Sequence, residues 1–484
     1  MLLRRFYEDK LAQASYMIGC QATGMALVVD PHRDSEVYLR AAAEEGLVIT
    51  YVSETHIHAD YLSGARQLAR RSDATLLLSG EGGEEWQYGF IKEEHTQAVH
   101  DRDEIGLGNV GIEILHTPGH TPEHISFMIT DRAASPEPLG VLTGDFIFVG
   151  DVGRPDLLEK VAGVSDSMVA SACLLFESLS RFRHFPEHLQ ILPGHGAGSA
   201  CGKALGSVPS STLGYEKLAN WAFRCETEEE FVGMVLEGQP ESPPYFEKMK
   251  EVNRDGPPIV DRLPMLELLE PRALHEVLLS DRAIVVDIRK ASAFRAGHLP
   301  GTISIPLSKD FPTWSGWLLP YDRPIYFIAE SSNATNEAAR DLALVGIDNL
   351  KGFFDAKALK LWSEESGNLE RTTSINWYEA ERAVTEEKAF IVDVRGLSEW
   401  NEGYVPGAKH LHLGHLHTAD LSGLPRGCPL LLYCRSGYRS GIGTSILEAA
   451  GFDDVRNIDG GILDRMKRGL PIEQGVSPDR ESEL

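Results

Sequence analysis

Short apolar runs recur along the first half of the chain: Ala26–Val29, Val48–Val52, Ala74–Leu78, Ile112–Leu115 and Gly140–Thr143, each bounded by turn-forming or polar residues. Runs of that length predict strands alternating with turns and helices. Several are followed by a histidine or aspartate, the placement by which a rigid sheet can hold a metal. The second half is an internal repeat. AIVVDIRKASAFRAGHLPGTISIPL at 283–307 and AFIVDVRGLSEWNEGYVPGAKHLHL at 389–413 align without gaps, pairing Asp287 with Asp393, Arg289 with Arg395, Gly297 with Gly403 and Pro300-Gly301 with Pro406-Gly407. About 40 residues later in each copy a β run, Ile325–Ile328 or Leu430–Tyr433, enters a loop and then a helix. Those helices end near Gly346 and Gly451, residues suited to the left-handed position after a helix. A period of about 105 residues predicts two duplicated domains rather than a solenoid. Their alternation of strand and helix predicts parallel sheets covered on both faces.

A length of 484 residues implies roughly three domains. Glu237–Leu263, with its EGQPESPP and RDGPP segments, reads as a stiff polar connection and places a boundary near residue 250. The 42% hydrophobic and 24% charged content is that of soluble globular domains. With 46 basic and 72 acidic residues the net charge is −26, which removes the electrostatic footing for nucleic-acid binding. No run approaches the ~18 apolar residues of a membrane helix. Arg4-Arg5 is followed by Phe-Tyr-Glu-Asp-Lys, not by the apolar core of a signal peptide. Six cysteines without a Cys-x-x-Cys pair argue against a disulfide framework or structural zinc site, and for a reducing cytoplasm.

Candidate chemistry begins at Thr-His-Ile-His-Ala-Asp-Tyr, residues 55–61. His56, His58 and Asp60 alternate as a strand end running into a loop. A dinuclear zinc hydrolase needs one more imidazole after the aspartate, and Tyr61 stands there instead. A neutral phenol with an unperturbed pKa near ~10 is a poor ligand, so the sequence points to one metal. TPGHTPEH at 117–124, TGD at 143–145 and PGHG at 193–196 add His120, Asp145 and His195. One such histidine would ordinarily be structural; four sites of this pattern in succession are not a coincidence. His116 and His124 are weaker candidates, His116 as a cap on its turn. Asp151, Arg154 and Asp156 read either as a salt-bridged loop or as rim contacts, with Arg154 facing an anionic thiol. Cys201, six residues past His195, reads as a packing residue or as a sulfur-accepting thiol.

The second centre is Cys-Arg-Ser-Gly-Tyr-Arg at 434–439, between a β run and a helix. Backbone N–H groups and a helix N-terminus aimed at sulfur favour a thiolate and an anion bound beside it. Arg435 and Arg439 add positive charge. The Cys-x₄-Arg spacing is tighter than the Cys-x₅-Arg cradle of tyrosine phosphatases, and suits a persulfide sulfur better than a phosphoryl group. In the first copy Ala329 replaces the cysteine and the loop reads Ala-Glu-Ser-Ser-Asn-Ala-Thr. That copy cannot carry sulfur and reads as a spacer or docking surface.

Residues 1 to about 245 resemble the metallo-β-lactamase fold, nearest its glyoxalase II and persulfide dioxygenase branch, on THIHADYLSG, HTPGH, LTGDFIFVGDVGRPDL and LPGHGAGSACG. The repeats resemble rhodanese domains. Their order resembles bacterial persulfide dioxygenase–sulfurtransferase fusions, which carry a cysteine in a place comparable to Cys201. The resemblance implies an α/β multidomain chain: an αββα sandwich over 1–250, a degenerate rhodanese domain over 262–366 and an active one over 372–475, both with parallel sheets. It implies mononuclear Fe(II) on His56, His120 and Asp145, the two-imidazole, one-carboxylate set of non-haem oxygenases. His58, Asp60 and His195 then orient ligands or serve as alternative metal ligands. Arg154 and Tyr215 are assigned to substrate binding, and Cys434, Arg435, Arg439 and Cys201 to catalysis. The implied activity oxidises a low-molecular-weight thiol persulfide with O₂ to sulfite, then transfers sulfur through Cys434 to give thiosulfate. The implied partners are that persulfide, O₂ and sulfite, in a homo-oligomer. Two alternatives stand beside it: a Zn(II)-dependent thioester hydrolase carrying a sulfurtransferase domain, and a non-catalytic sulfur carrier or sensor. Glutathione, coenzyme A and bacillithiol all remain open as the thiol.

Overall fold

In a computed structural model of the chain, residues 1–156, 167–203, 205–239, 241–260, 262–280, 282–365 and 367–474 are described. The limit of 475 expected for the last domain, and Leu157 at the end of the LTGDFIFVGDVGRPDL motif, lie outside them. Two compact units emerge: Met1–Leu263 with the segment Ala343–Gly346, and Pro264–Leu342 with Ile347–Leu484. No helix among the described residues is long and apolar enough to cross a membrane.

The first unit holds two six-stranded sheets. One runs in sequential order: β1 (Leu2–Glu8), β2 (Gln13–Cys20), β3 (Met25–Val29), β4 (Val48–Ser53), β5 (Thr75–Ser79) and β6 (Thr96–Val99). The other comprises β7 (Glu104–Leu107), β8 (Val110–His116), β9 (Ile125–Asp131), β10 (Gly140–Gly144), β11 (Gln190–Pro193) and β12 (Ser211–Thr212). β10 and β11 pair in parallel; their neighbours are antiparallel. Every residue of β2 is buried, because both of its faces are covered. Tyr16 and Ile18 point between the sheets to meet Ile112, Ile114, Phe127 and Leu142, while Met17 points the other way. That split is the two-residue period of a strand. On the outer faces, Ala65, Leu68 and Ala69 of the helix Ala65–Ser72 cover the first sheet. Ala172, Leu175 and Leu179 of the helix Ser167–Phe182 cover the second. Each helix thus buries one stripe at helical spacing, and the layers stack αββα.

The stretch read as a connection contains a helix, Tyr245–Asp255, within the first unit. Its Asn253 is buried; the amide donates to the carbonyls of His58 and Tyr61 (both 2.8 Å) and accepts from the Ser63 N–H (3.0 Å). Polar composition concealed a helix that fastens the His58–Ser63 loop.

The second unit holds two all-parallel sheets, as the repeat predicts. The first has the order β14-β13-β15-β16, from β13 (Ile284–Asp287), β14 (Ile303–Ser304), β15 (Ile325–Ile328) and β16 (Leu350–Phe354). The second has the order β17-β21-β20-β18-β19, from β17 (Thr373–Ile375), β18 (Phe390–Asp393), β19 (Lys409–His410), β20 (Leu430–Tyr433) and β21 (Val455–Ile458). The residues matched between copies are matched for a reason. Arg289 grips the Asp287 carboxylate with Nε and Nη2 and donates from Nη2 to Gly297 O (2.9 Å); Arg395 does the same with Asp393 and Gly403 O (2.7 Å). Strand end, arginine and the glycine after the next helix form one staple in each copy.

Candidate metal centre and sulfur-transfer loop

β4, β8, β10 and β11 end at Ser53, His116, Gly144 and Pro193, and the segments that follow carry His56, His120, Asp145 and His195. His56, His120 and Asp145 are buried and offer ligand atoms within 4.8 Å of one another. His120 Nε2 lies 3.6 Å from Asp145 Oδ2. Asp60, His195 and Cys201 form a second buried group of the same span. His195 Nε2 lies 3.3 Å from Asp60 Oδ2 and 3.5 Å from Asp145 Oδ1, so the Asp145 carboxylate faces both groups.

Hydrogen bonds decide which ring nitrogen each histidine presents. The Thr55 hydroxyl donates to Asp30 Oδ2 (2.9 Å), so its oxygen is left to accept from His56 Nδ1 (2.9 Å). His120 Nδ1 donates to Arg154 O (3.0 Å) and His195 Nδ1 to Ala12 O (3.1 Å). All three therefore direct Nε2 away from these bonds, the orientation a metal ligand needs. Burial lowers the pKa of His56 far below its usual value and lowers that of His120 despite Asp145, holding both neutral. Both oxygens of Asp145, Oδ1 of Asp60 and Nε2 of His195 are buried without a hydrogen-bond partner. Unsatisfied buried polar atoms are costly; here they converge, and a cation among them satisfies them. The residues present fit a metal.

His58 belongs to neither group, yet its ring lies 4.2 Å from that of His56 and its Nδ1 is buried without a hydrogen-bond partner. Its Nε2 donates to Asp30 Oδ1 (3.0 Å), and although burial opposes the charge most strongly, Asp30 together with Glu54 and Asp60 lifts the pKa to about 9. Tyr61 is fully buried, and its hydroxyl donates to Asp30 O (3.3 Å). Gly144 has φ +49°, and a Cβ there would stand 2.6 Å from Thr55 Oγ1 and 2.7 Å from His124 Nε2; only glycine fits.

In the second copy, β20 delivers Cys434 to a turn ahead of the helix Tyr438–Ala449. The Gly437 N–H donates to Cys434 Sγ (3.1 Å) and the Ser440 hydroxyl lies 3.5 Å from it. Arg439 grips Glu399 with both terminal nitrogens, at 2.7 Å for Nη2 to Oε1, whereas Arg435 is exposed to solvent. The cradle thus offers Cys434 a directed backbone N–H and one outward guanidinium. In the first copy Ala329 is buried at the corresponding strand end.

Residues 9–195 match the metallo-beta-lactamase superfamily, and residues 270–360 and 376–464 match the rhodanese-like domain. A crystallised metallo-beta-lactamase from Staphylococcus aureus subsp. aureus COL is 42% identical, with a TM-score of 0.67, over 73% of this chain and 99% of that one. The chain belongs to the metallo-beta-lactamase superfamily. Two rhodanese-like domains follow its metallo-beta-lactamase domain. The hydroxyacylglutathione hydrolase of Rhodospirillum rubrum is 27% identical over 185 residues, 37% of this chain and 60% of that protein. The mitochondrial persulfide dioxygenase ETHE1 of Mus musculus is 28% identical over 167 residues, 34% of this chain and 59% of that protein. The chain therefore spans about three-fifths of the length of these relatives.

Within this metallo-beta-lactamase domain the sequence-predicted residues fall into place unequally. His56, His120 and Asp145 meet in one group, and Asp60, His195 and Cys201 in the other. Arg154, read either as part of a salt-bridged loop or as a rim contact, is fully buried in the first of these arrangements: Nε and Nη2 hold Asp156 at 2.8 and 2.7 Å and Nη1 donates to Ala200 O. A guanidinium committed in that way does not face a substrate. Its backbone N–H donates to Cys201 O, so Arg154 ties the Cys201 loop to the carbonyl that orients His120. Tyr215 lies on the short helix Leu213–Ala219, 60% exposed and outside both donor groups. His116 caps its turn, donating from Nε2 to Pro122 O. Sequence reasoning passed over Thr55 and Asn253 and undervalued His124, whose Nε2 accepts the Asp145 N–H (3.1 Å). It also passed over Glu399, which the repeat could have flagged, since Ala293 stands opposite it in the copy without a cysteine.

Proposed function

We propose that this chain couples oxidation of a low-molecular-weight thiol persulfide to sulfur transfer. The metal domain converts RSSH, O₂ and H₂O into RSH and sulfite. Cys434 takes the outer sulfur of a second RSSH, releasing RSH, and sulfite attacks Cys434–S–SH to give thiosulfate and the free thiol. The observation that carries the reading is the pairing, in one chain, of a buried two-histidine, one-carboxylate group with a cysteine cradled by a backbone N–H.

Fe(II), held by His56, His120 and Asp145, would supply a Lewis acid with open positions for a sulfur ligand and O₂. The chain's own residues do the rest. Thr55 and the Arg154 carbonyl keep the two imidazoles in the tautomer that binds. Burial of the donor group keeps bulk water from the reacting sulfur. Asp60 and His195 face the same space and can hold and move the protons released as sulfite forms. Cys201, beside them, is the candidate thiol to hold a sulfur near the metal. At the second centre the Gly437 N–H stabilises the sulfur anion and Arg435 receives the sulfite dianion. The first copy, without nucleophile or arginines, transfers nothing.

The test is O₂ uptake by anaerobically Fe(II)-loaded protein given glutathione persulfide, with sulfite and thiosulfate quantified. Uptake with thiosulfate as the main product supports both centres; no uptake, repeated with coenzyme A persulfide, overturns the reading. A second reading, zinc-dependent thioester hydrolysis, is favoured by one observation: Asp60 and His195 stand ready beside Asp145 as a second donor group. It predicts hydrolysis of S-lactoylglutathione by the Zn(II)-loaded protein and no O₂ uptake.

A further inference from the structure

Tyr438 is the first residue of the helix behind Cys434, and its side chain reaches into the copy that has lost its own nucleophile. Its hydroxyl donates to Pro306 O (3.2 Å) and lies 2.8 Å from Ser308 Oγ. The phenol has one proton and spends it on the carbonyl, so Ser308 is the donor in the second bond. Two turns further along the helix, the Ser445 hydroxyl accepts the Ser304 N–H (2.9 Å). Ser304 ends β14, and Pro306 and Ser308 follow it. One short segment of the degenerate copy thus grips the helix of the active copy at two points.

The grip matters because of what precedes Tyr438. Gly437, whose N–H holds Cys434 Sγ, has φ +102°, in the region that glycine visits at no cost and leaves as readily. The Gly437 carbonyl accepts the Gly441 N–H, and the adjacent Tyr438 adds an anchor in the other copy. The contact runs one way only. By the repeat alignment Asn333 stands opposite Tyr438 and Gly414 opposite Ser308, so the first copy receives no such bond.

We propose that the degenerate rhodanese-like copy is a working part of the sulfur-transfer site, with Ser308 and Tyr438 as positioning residues that set the Gly437 N–H against the Cys434 sulfur. This rests on the reading of Cys434 as the sulfur carrier. The role differs from that of a spacer, because it reaches the reacting atom through named bonds.

The test uses the full-length protein with glutathione persulfide and added sulfite, following thiosulfate in wild type, S308A, S308T, Y438F, S308A/Y438F and C434S. S308A lowers kcat about fivefold, the worth of one hydrogen bond, and Y438F, which loses two, lowers it at least as much, with KM for sulfite within about twofold in both. The double variant is no slower than Y438F, since both changes break one chain of contacts. S308T, which keeps the hydroxyl, stays within about twofold of wild type, and O₂ uptake at the metal domain is unchanged throughout. If C434S abolishes thiosulfate while S308A and Y438F match wild type, or if their losses multiply in the double variant, the positioning role is wrong and the carrier reading stands. If C434S still makes thiosulfate, the carrier reading falls and this role with it.

Discussion

Thr55 chooses the nitrogen that His56 offers. Its hydroxyl is spent on Asp30, which forces its oxygen to accept from Nδ1 and leaves Nε2 for a metal. Thr55→Val removes the acceptor and frees the ring to change tautomer. The expected result is a 10–100-fold weaker hold on Fe(II), the usual cost of losing such a partner, read by competition with a chelator; Thr55→Ser retains wild-type affinity. Arg154 gives a second case. A rim arginine, once replaced, raises KM and leaves stability alone; a buried one costs stability through its ion pair. Arg154→Met removes the buried ion pair with Asp156 and is expected to cost about 3–5 kcal/mol, measured by denaturant unfolding of the first unit's transition. A change confined to KM would return Arg154 to the substrate. The buried donor residues that the fold brings together were legible because each sits in a short motif after a strand. For Arg154 the sequence left two readings open, salt-bridged loop and rim contact, because it shows a charge but not what lies within 3 Å of it.

At the scale of elements, the repeat was read without error in its Asp-Arg-Gly positions because one staple imposes the same residues twice. Strands of two residues, Ile303–Ser304 and Lys409–His410, left no pattern to read. β1 was missed for another reason: its LLRRFYE sequence is only half-buried, so no clean alternation survives. The junction between the copies was equally hidden. Thr372 donates to Glu448 Oε2 (2.8 Å), with Glu370 and His298 beside it. Burial lifts the Glu448 carboxyl to about 7 from 4.5, and Glu370 adds to the shift against the opposing Thr372 bond. Between those values the folded chain keeps a proton that the unfolded chain has released, so fewer protons are bound on unfolding and stability falls as pH rises through that window. Glu448→Gln is expected to flatten this slope between pH 4.5 and 7, measured as the unfolding midpoint of the second unit against pH. An unchanged slope would place the protonation elsewhere.

For the whole molecule, the reason to carry both centres in one chain is electrostatic as well as economical. On the proposed reaction, sulfite would leave the first centre as an anion into the surroundings of a chain with net charge −26. Recapture from bulk solution is disfavoured by that field, so the proposed coupling requires that sulfite reach Cys434 before it equilibrates with solvent. On this reading the exposed Arg435 is the local exception that would receive it. This makes a prediction that neither centre makes alone. His56→Ala removes oxidation and Cys434→Ser removes transfer, so an equimolar mixture contains every activity of the wild type on separate chains. At low protein concentration the mixture is expected to consume O₂ at the rate of its Cys434→Ser half, release mostly free sulfite, and form thiosulfate only as sulfite accumulates. Wild type is expected to form thiosulfate from the first turnover, and an added sulfite trap should suppress thiosulfate in the mixture far more than in wild type. Raising salt screens the acidic field and should narrow the gap between the two. Equal thiosulfate yields per O₂ at every protein concentration would show that sulfite equilibrates with solvent before transfer, and that the fusion confers no coupling.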